Sequence, residues 1–169
     1  INTSKPNLND KIIFVWPEGI LPNTSQKDLI EYKWLFEKNF SDNHLFIIGI
    51  NSVVTLDNFK NHFNTFSVYD NNLNLINSYN KINLVPFGEF LPFDKILGNI
   101  GLKSLTNNYQ SFSSGDRRDI IEINKQNFSL KILPLICYEI IFSVKLFMES
   151  NFDLIINILY VIFLATIGI

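Results

Sequence analysis

A thiol, an ammonium and a carboxylate stand in three apolar settings along this chain, and together they could carry out acyl transfer. Cys137, the only cysteine, closes the run Ile132-Leu133-Pro134-Leu135-Ile136 and is followed by Tyr138-Glu139. A nucleophile placed where a strand stops is free to reach a substrate. A thiol attacks as thiolate, which forms more readily beside a cation or a base that takes its proton. Glu18, in Val15-Trp16-Pro17-Glu18, is a candidate base. Lys81 lies in Ser78-Tyr79-Asn80-Lys81-Ile82-Asn83-Leu84-Val85-Pro86-Phe87-Gly88-Glu89. A fixed ammonium can stabilise the negative oxygen of a tetrahedral adduct, and loss of one such donor costs about 3 kcal/mol. Its charge beside Leu84-Val85-Pro86-Phe87 is costly unless paired, and Glu18, Glu89 and Glu139 are candidate partners. Taken singly, each has a plain alternative: a buried small hydrophobe for Cys137, a turn carboxylate for Glu18 or Glu89, a surface charge for Lys81.

These groups need a scaffold, and the composition favours one. The 169 residues are 47% apolar and 14% aromatic, with 16 phenylalanines, and only 18% are charged. That suits one domain folded around a single core. The formal net charge is −2, with charges scattered in ones and twos. No basic stripe offers itself to a phosphate backbone, so nucleic acid is excluded as a partner class. One cysteine forms no internal disulfide, and His44 and His62, with no second thiol, match no familiar zinc spacing. No metal or cofactor is implied. The longest apolar stretch, Leu154 to Ile169 with Asn157 inside it, falls short of the ~20 residues that span a bilayer. The chain opens at Ile1 and its sole methionine is Met148, as expected of a piece of a longer protein.

The elements follow from the apolar pattern. Lys11 to Trp16 is a strand by its β-branched and aromatic content, stopped by Pro17. Leu29, Ile30, Trp34 (or Tyr32), Leu35 and Phe36 recur at helical spacing between Ser25 and Phe40, with Ser25 as the expected cap. Leu45 to Val54 is a second buried strand. Phe63 to Tyr69 and Leu73 to Tyr79 flank Asp70-Asn71-Asn72 as a hairpin. Leu84 to Gly101 carries the breakers Pro86, Gly88, Pro92 and Gly98 and reads as a structured loop with a short helix over Phe93 to Leu97. Asp119 to Ile123 and Phe128 to Cys137 flank Asn124-Lys125-Gln126-Asn127 as a second hairpin, whose long arm ends in the thiol. Val144 to Ser150 is a short helix and Phe152 to Asn157 a last strand. The class is α/β or α+β.

Three stretches join these residues into one pattern. Trp16-Pro17-Glu18, then Tyr79-x-Lys81-x-x-Leu84-Val85-Pro86-Phe87-Gly88-Glu89-Phe90-Leu91-Pro92, then Ile136-Cys137-Tyr138-Glu139 resemble the nitrilase, or carbon–nitrogen hydrolase, superfamily. Its enzymes use Glu, Lys and Cys in that order. The wording is most similar to the extracytoplasmic domain of the apolipoprotein N-acyltransferase family, and the likeness runs from about Ile12 to Asn157. It implies an α/β fold of the αββα sandwich type, truncated at both ends: a partial domain over residues 1–157 and an atypical apolar tail over 158–169. It implies that Cys137 takes an acyl chain from a phospholipid as a thioester and passes it to the amine of a diacylglyceryl-cysteine lipoprotein. Glu18 would be the base and Lys81 the oxyanion stabiliser. Glu89 would orient the lysine, and Tyr138 and Glu139 would shape the site. The family resides in the bacterial inner membrane with this domain facing the periplasm, held by helices that this sequence lacks. A soluble amidase and a remnant without chemistry are the competing readings.

Overall fold

In the computed structural model, residues 6–21, 24–56, 59–92, 111–125, 128–142 and 151–159 are described. Strand β1 (Ile12–Trp16) leads through a 3-10 helix (Asp28–Tyr32) and α1 (Lys33–Asn39) into β2 (His44–Leu56). β1 and β2 pair in parallel from Ile12↔His44 to Trp16↔Ile48. A parallel pair requires a crossover, and the helical segment supplies it. β3 (Phe59–Tyr69) and β4 (Leu75–Asn80) then add antiparallel strands, giving the order β1-β2-β3-β4. A second sheet has the order β5-β6-β7, from β5 (Ile121–Lys125), β6 (Phe128–Ile136) and β7 (Leu154–Ile158). Between β6 and β7 comes a second 3-10 helix, Cys137–Phe142.

The two sheets face each other across one apolar layer. Leu45 and Ile47 of β2, Phe66 and Val68 of β3 and Tyr79 of β4 meet Ile121, Ile123, Ile132, Ile136 and Ile158 of the second sheet. Each such aliphatic side chain, fully buried, contributes about 1.5–3 kcal/mol. The other face of the first sheet is covered by the helical crossover, where Leu29, Phe36 and Phe40 pack on Phe46, Ile48, Ile50, Tyr69 and Leu73. Rings carry much of that contact: the Phe46 centroid lies 4.7 Å from Phe40, 4.8 Å from Phe36 and 5.1 Å from Phe14. A helix layer and two sheet layers of the expected αββα sandwich are thus described. The short helices expected over Phe93 to Leu97 and Val144 to Ser150 lie outside the described residues, as does the tail from residue 160.

Both expected hairpins form. β3 and β4 pair from Thr65↔Asn80 to Tyr69↔Leu75, and β5 and β6 pair as far as Lys125↔Phe128. Two expectations need correction. The single helix from Ser25 to Phe40 is a 3-10 turn followed by a seven-residue α-helix. With three residues per turn at its start, the buried face becomes Leu29, Phe36 and Phe40, while Ile30, Tyr32 and Trp34 are exposed. Ser25 does not cap it: the Ser25 backbone N–H and hydroxyl both donate to Asp28 Oδ2 at 2.7 Å. The ionised carboxylate is the stronger acceptor and reverses the roles. These bonds hold the Asp28 carboxyl below the usual carboxylate range.

Candidate active site

Glu18 and Cys137 come from different sheets and are brought to the same end of the sandwich by backbone packing. Glu18 follows Pro17, which ends β1, and its Cα passes directly over Gly49 of β2. A Cβ on Gly49 would lie 2.7 Å from Glu18 Cα, 2.8 Å from its nitrogen and 2.9 Å from Ile158 Cδ1. Only glycine admits that approach. Ile158 in turn is the register partner of Ile136, the residue before Cys137. The ends of β1, β6 and β7 therefore converge on the middle of β2.

Lys81 follows β4 immediately and is 1% exposed. Its Nζ lies 2.8 Å from Glu89 Oε2, which selects Glu89 among the three candidate partners. Glu89 also closes its own turn: Oε2 accepts the Val85 N–H at 2.8 Å, and the Glu89 N–H donates to the Val85 carbonyl at 2.8 Å. The segment 112–115 straps this loop down. Phe112, Ser113 and Gly115 donate backbone N–H groups to the carbonyls of Glu89, His62 and Lys81, at 2.8, 2.7 and 2.9 Å. Glu18 is joined to the pair through Asn64, whose Nδ2 donates to Glu18 Oε1 at 2.5 Å and to Glu89 Oε1 at 2.8 Å. Glu18 Oε2 is buried and accepts no hydrogen bond from the described residues. Burial raises the Glu18 carboxyl above its ordinary range; the Asn64 bond and the Lys81 charge oppose that shift, and the charges of Glu89 and Glu139 add to it.

Cys137 leaves β6 with φ of 57°. A non-glycine residue in left-handed backbone costs about 1–3 kcal/mol and persists only where its surroundings hold it. Asn157 of β7 does so, donating from Nδ2 to the Cys137 carbonyl at 2.9 Å. Tyr138 turns the other way: its hydroxyl donates to the Leu84 carbonyl at 2.7 Å, and its ring centroid stands 5.3 Å from Lys81 Nζ. Burial is the largest cause raising the Tyr138 phenol, which also feels the charges of Lys81, Glu89, Glu139 and Cys137. Beside it opens a groove of about 430 Å³, lined by Ile82, Leu84, Phe90, Phe112, Tyr138 and Phe142 among others.

Glu139 is 0% exposed and braces the site from behind. Its Oε1 accepts from Tyr79 at 2.7 Å, from the Ile82 and Asn83 N–H groups at 3.0 and 3.1 Å, and meets Arg118 at 2.7 Å. Its Oε2 accepts the Ile136 N–H at 3.0 Å. One carboxylate thereby ties the backbone before Cys137 to the backbone after Lys81.

Comparison with known proteins fits this architecture. No protein-family model matches the chain. It is 35% identical over 167 residues to the apolipoprotein N-acyltransferase of Rickettsia prowazekii, covering 94% of this chain and 31% of that protein. Those of Rhizobium rhizogenes and Caulobacter vibrioides are each 30% identical, covering 86% of this chain and 27% and 28% of theirs. The chain is a homologue of part of the apolipoprotein N-acyltransferases. It spans less than a third of the length of these relatives. Its fold is that of the carbon–nitrogen hydrolases. A carbon–nitrogen hydrolase from Helicobacter pylori superposes with a TM-score of 0.52 at 15% identity, covering 90% of this chain and 49% of that one. The glutamine-dependent NAD+ synthetase of Acinetobacter baumannii also gives 0.52, at 17% identity, covering 88% and 26%.

In this N-acyltransferase homologue, sequence reasoning missed Asn64, Asn157, Arg118 and Tyr79 as parts of the site. Asparagine is abundant throughout the chain, so neither Asn64 nor Asn157 stands out by type. The available signal was that each is a polar residue inside an apolar-rich run read as a strand, Phe63 to Tyr69 and Phe152 to Asn157. Arg118 was visible only as part of a polar stretch, and Tyr79 only as a letter in the lysine motif.

Proposed function

We propose that the chain carries an acyl-transfer site in which Cys137 is the nucleophile, Glu18 the base and Lys81 the oxyanion stabiliser. The observation that carries this reading is the buried Glu18 Oε2, without a hydrogen-bond partner among the described residues, at the sandwich end where Cys137 leaves its strand. Glu18 Oε2 takes the thiol proton as sulfur attacks the ester carbonyl of a phospholipid. The adduct's negative oxygen is stabilised by Lys81, which Glu89 holds at 2.8 Å. Collapse releases the lysophospholipid alcohol, which receives the proton from Glu18, and leaves a thioester on Cys137. The amine of a diacylglyceryl-cysteine lipoprotein then attacks the thioester carbonyl and Glu18 accepts its proton; the amide forms as the carbon–sulfur bond breaks, and Glu18 returns that proton to the departing sulfur, restoring the thiol.

The apolar groove beside Tyr138 supports an acyl substrate, since a chain of methylenes gains about 0.8 kcal/mol for each one buried. The relatives' name gives N-acyl transfer to an apolipoprotein; the phospholipid donor and a place at the bacterial inner membrane, facing the periplasm, are part of the proposal. No helix among the described residues is long and apolar enough to cross a bilayer. The test is acyl transfer from phospholipid vesicles to a diacylated lipopeptide by the whole chain, read by mass. Triacylated product that disappears in Cys137→Ala supports the proposal. Ammonia release from short amides with no transfer from lipid esters would sink it in favour of an amidase.

A further inference from the structure

Asn64 touches three residues of the site at once. It lies in β3, 3% exposed. Its Nδ2 places one N–H on Glu18 Oε1 at 2.5 Å and the other on Glu89 Oε1 at 2.8 Å. Its backbone carbonyl accepts the Lys81 N–H at 2.9 Å. Both of its amide donors are therefore spent on carboxylates. Glu89 is left with Oε2 for Lys81 and for the Val85 N–H. Glu18 is left with Oε2, buried and without a donor among the described residues.

Two carboxylates converging on one nitrogen in a poorly hydrated site repel each other, and without a shared donor one of them would take up a proton. The charged groups facing Glu18 are Lys81, Glu89 and Glu139. Lys81 is already committed to Glu89, so the hydrogen bond that favours ionised Glu18 comes from Asn64. A carboxamide suits the position better than a cation would, because it adds no charge to compete for Glu89.

We propose that Asn64 is a positioning residue that keeps Glu18 ionised beside Glu89 and reserves Glu18 Oε2 for the Cys137 proton. This rests on the proposed role of Glu18 as base. It also accounts for an asparagine buried in β3 against two carboxylates: the amide is the neutral double donor that two adjacent carboxylates require.

Cys137 is the only thiol in the chain, so iodoacetamide alkylation of the full-length protein reports on this one site. In the unsubstituted chain the rate should hold a plateau on the acid side of an ordinary thiol's ~8.5, where ionised Glu18 assists attack. Glu18→Gln removes the plateau. Asn64→Leu takes one charge-assisted hydrogen bond from Glu18 and should move the plateau's acid edge up by about one pH unit, a roughly tenfold slower reaction near that edge. Asn64→Asp keeps the side chain's shape but adds a third carboxylate. It should shift the edge at least as far, because a further negative charge disfavours ionised Glu18 and its donor is gone. Circular dichroism identifies the variants that fold, and Asn64→Asp is the closest in shape to the original.

A role confined to packing predicts an unshifted edge in Asn64→Asp, and that result would overturn the inference. If Glu18→Gln itself leaves the plateau in place, the base assignment fails and the role of Asn64 falls with it. If Glu18→Gln removes the plateau while both Asn64 variants retain the original edge, only the role of Asn64 falls.

Discussion

Replacing either member of the Arg118–Glu139 pair should destabilise the fold, and by unequal amounts. The two side chains are 7% and 0% exposed and meet at 2.7 Å. Removing one partner of a buried pair costs about 3–5 kcal/mol, because the other is left charged and unpaired. The structure breaks the symmetry. In Arg118→Met, Glu139 retains the Tyr79 hydroxyl and the N–H groups of Ile82, Asn83 and Ile136. The cost should fall at the lower end, about 3 kcal/mol. In Glu139→Leu the guanidinium loses its counter-charge and keeps only the Tyr79 hydroxyl and ring, and the N–H groups of Asn83 and Ile136 lose their acceptor, each at about 1–3 kcal/mol. The total then reaches about 6 kcal/mol or more, comparable with the whole stability of a domain of about 5–15 kcal/mol. Glu139→Gln keeps one oxygen but turns an amide N–H toward one of the donors, and should lie between the two. Urea unfolding followed by Trp16 fluorescence measures all three, since that ring packs on Phe36 and Phe46 in the core. Equal costs for Arg118→Met and Glu139→Leu, or a Glu139→Leu variant losing less than about 2 kcal/mol, would refute the reasoning that Glu139 is the brace.

Three further outcomes follow from the same contacts. Gly49→Ala places a methyl 2.7 Å from Glu18 Cα; it should cost about 1–3 kcal/mol in urea unfolding and about 100-fold in acyl transfer, by displacing the base. Glu18→Gln should abolish transfer yet raise the melting temperature at pH 7. Burial raises the folded Glu18 carboxyl, so its contribution to stability is full below the unfolded value of ~4.3 and is lost as pH rises through the folded value. Thermal melts at pH 4 and pH 7 check the sign, with the gain expected only at the higher pH. Lys81→Met should lower the transfer rate by about 10²–10³, measured at saturating vesicle concentration. Lys81→Arg should not rescue it, because the 2.8 Å contact with Glu89 seats a compact ammonium.

The strands that carry the site were legible because their apolar content is continuous. Ile12 to Trp16 and Leu133 to Ile136 read as buried strands, and the residues that follow them read as site residues. β3 was legible only from Phe63, although the strand begins at Phe59 and its pairing with β2 is the longest in the sheet. Lys60, Asn61 and His62 hid its start, since polar residues in a strand are buried or exposed according to partners that a sequence does not display. The open choice among Glu18, Glu89 and Glu139 for Lys81 was of the same kind. Spacing offered three carboxylates, and only the fold could show that Glu139 faces Arg118 and Tyr79 instead. The helical face was misread for a local reason, the 3-10 start that rotates Ile30 and Trp34 outward.

The central claim is that Glu18, Lys81 and Cys137 act on one acyl carbon. Intact-mass spectrometry of the whole chain after incubation with phospholipid vesicles tests it most directly. The account predicts a single added acyl mass, located on Cys137, released by hydroxylamine as a thioester should be, and lost in both Glu18→Gln and Lys81→Met. An acyl adduct that forms equally well in those two variants, or one located away from Cys137, would contradict it.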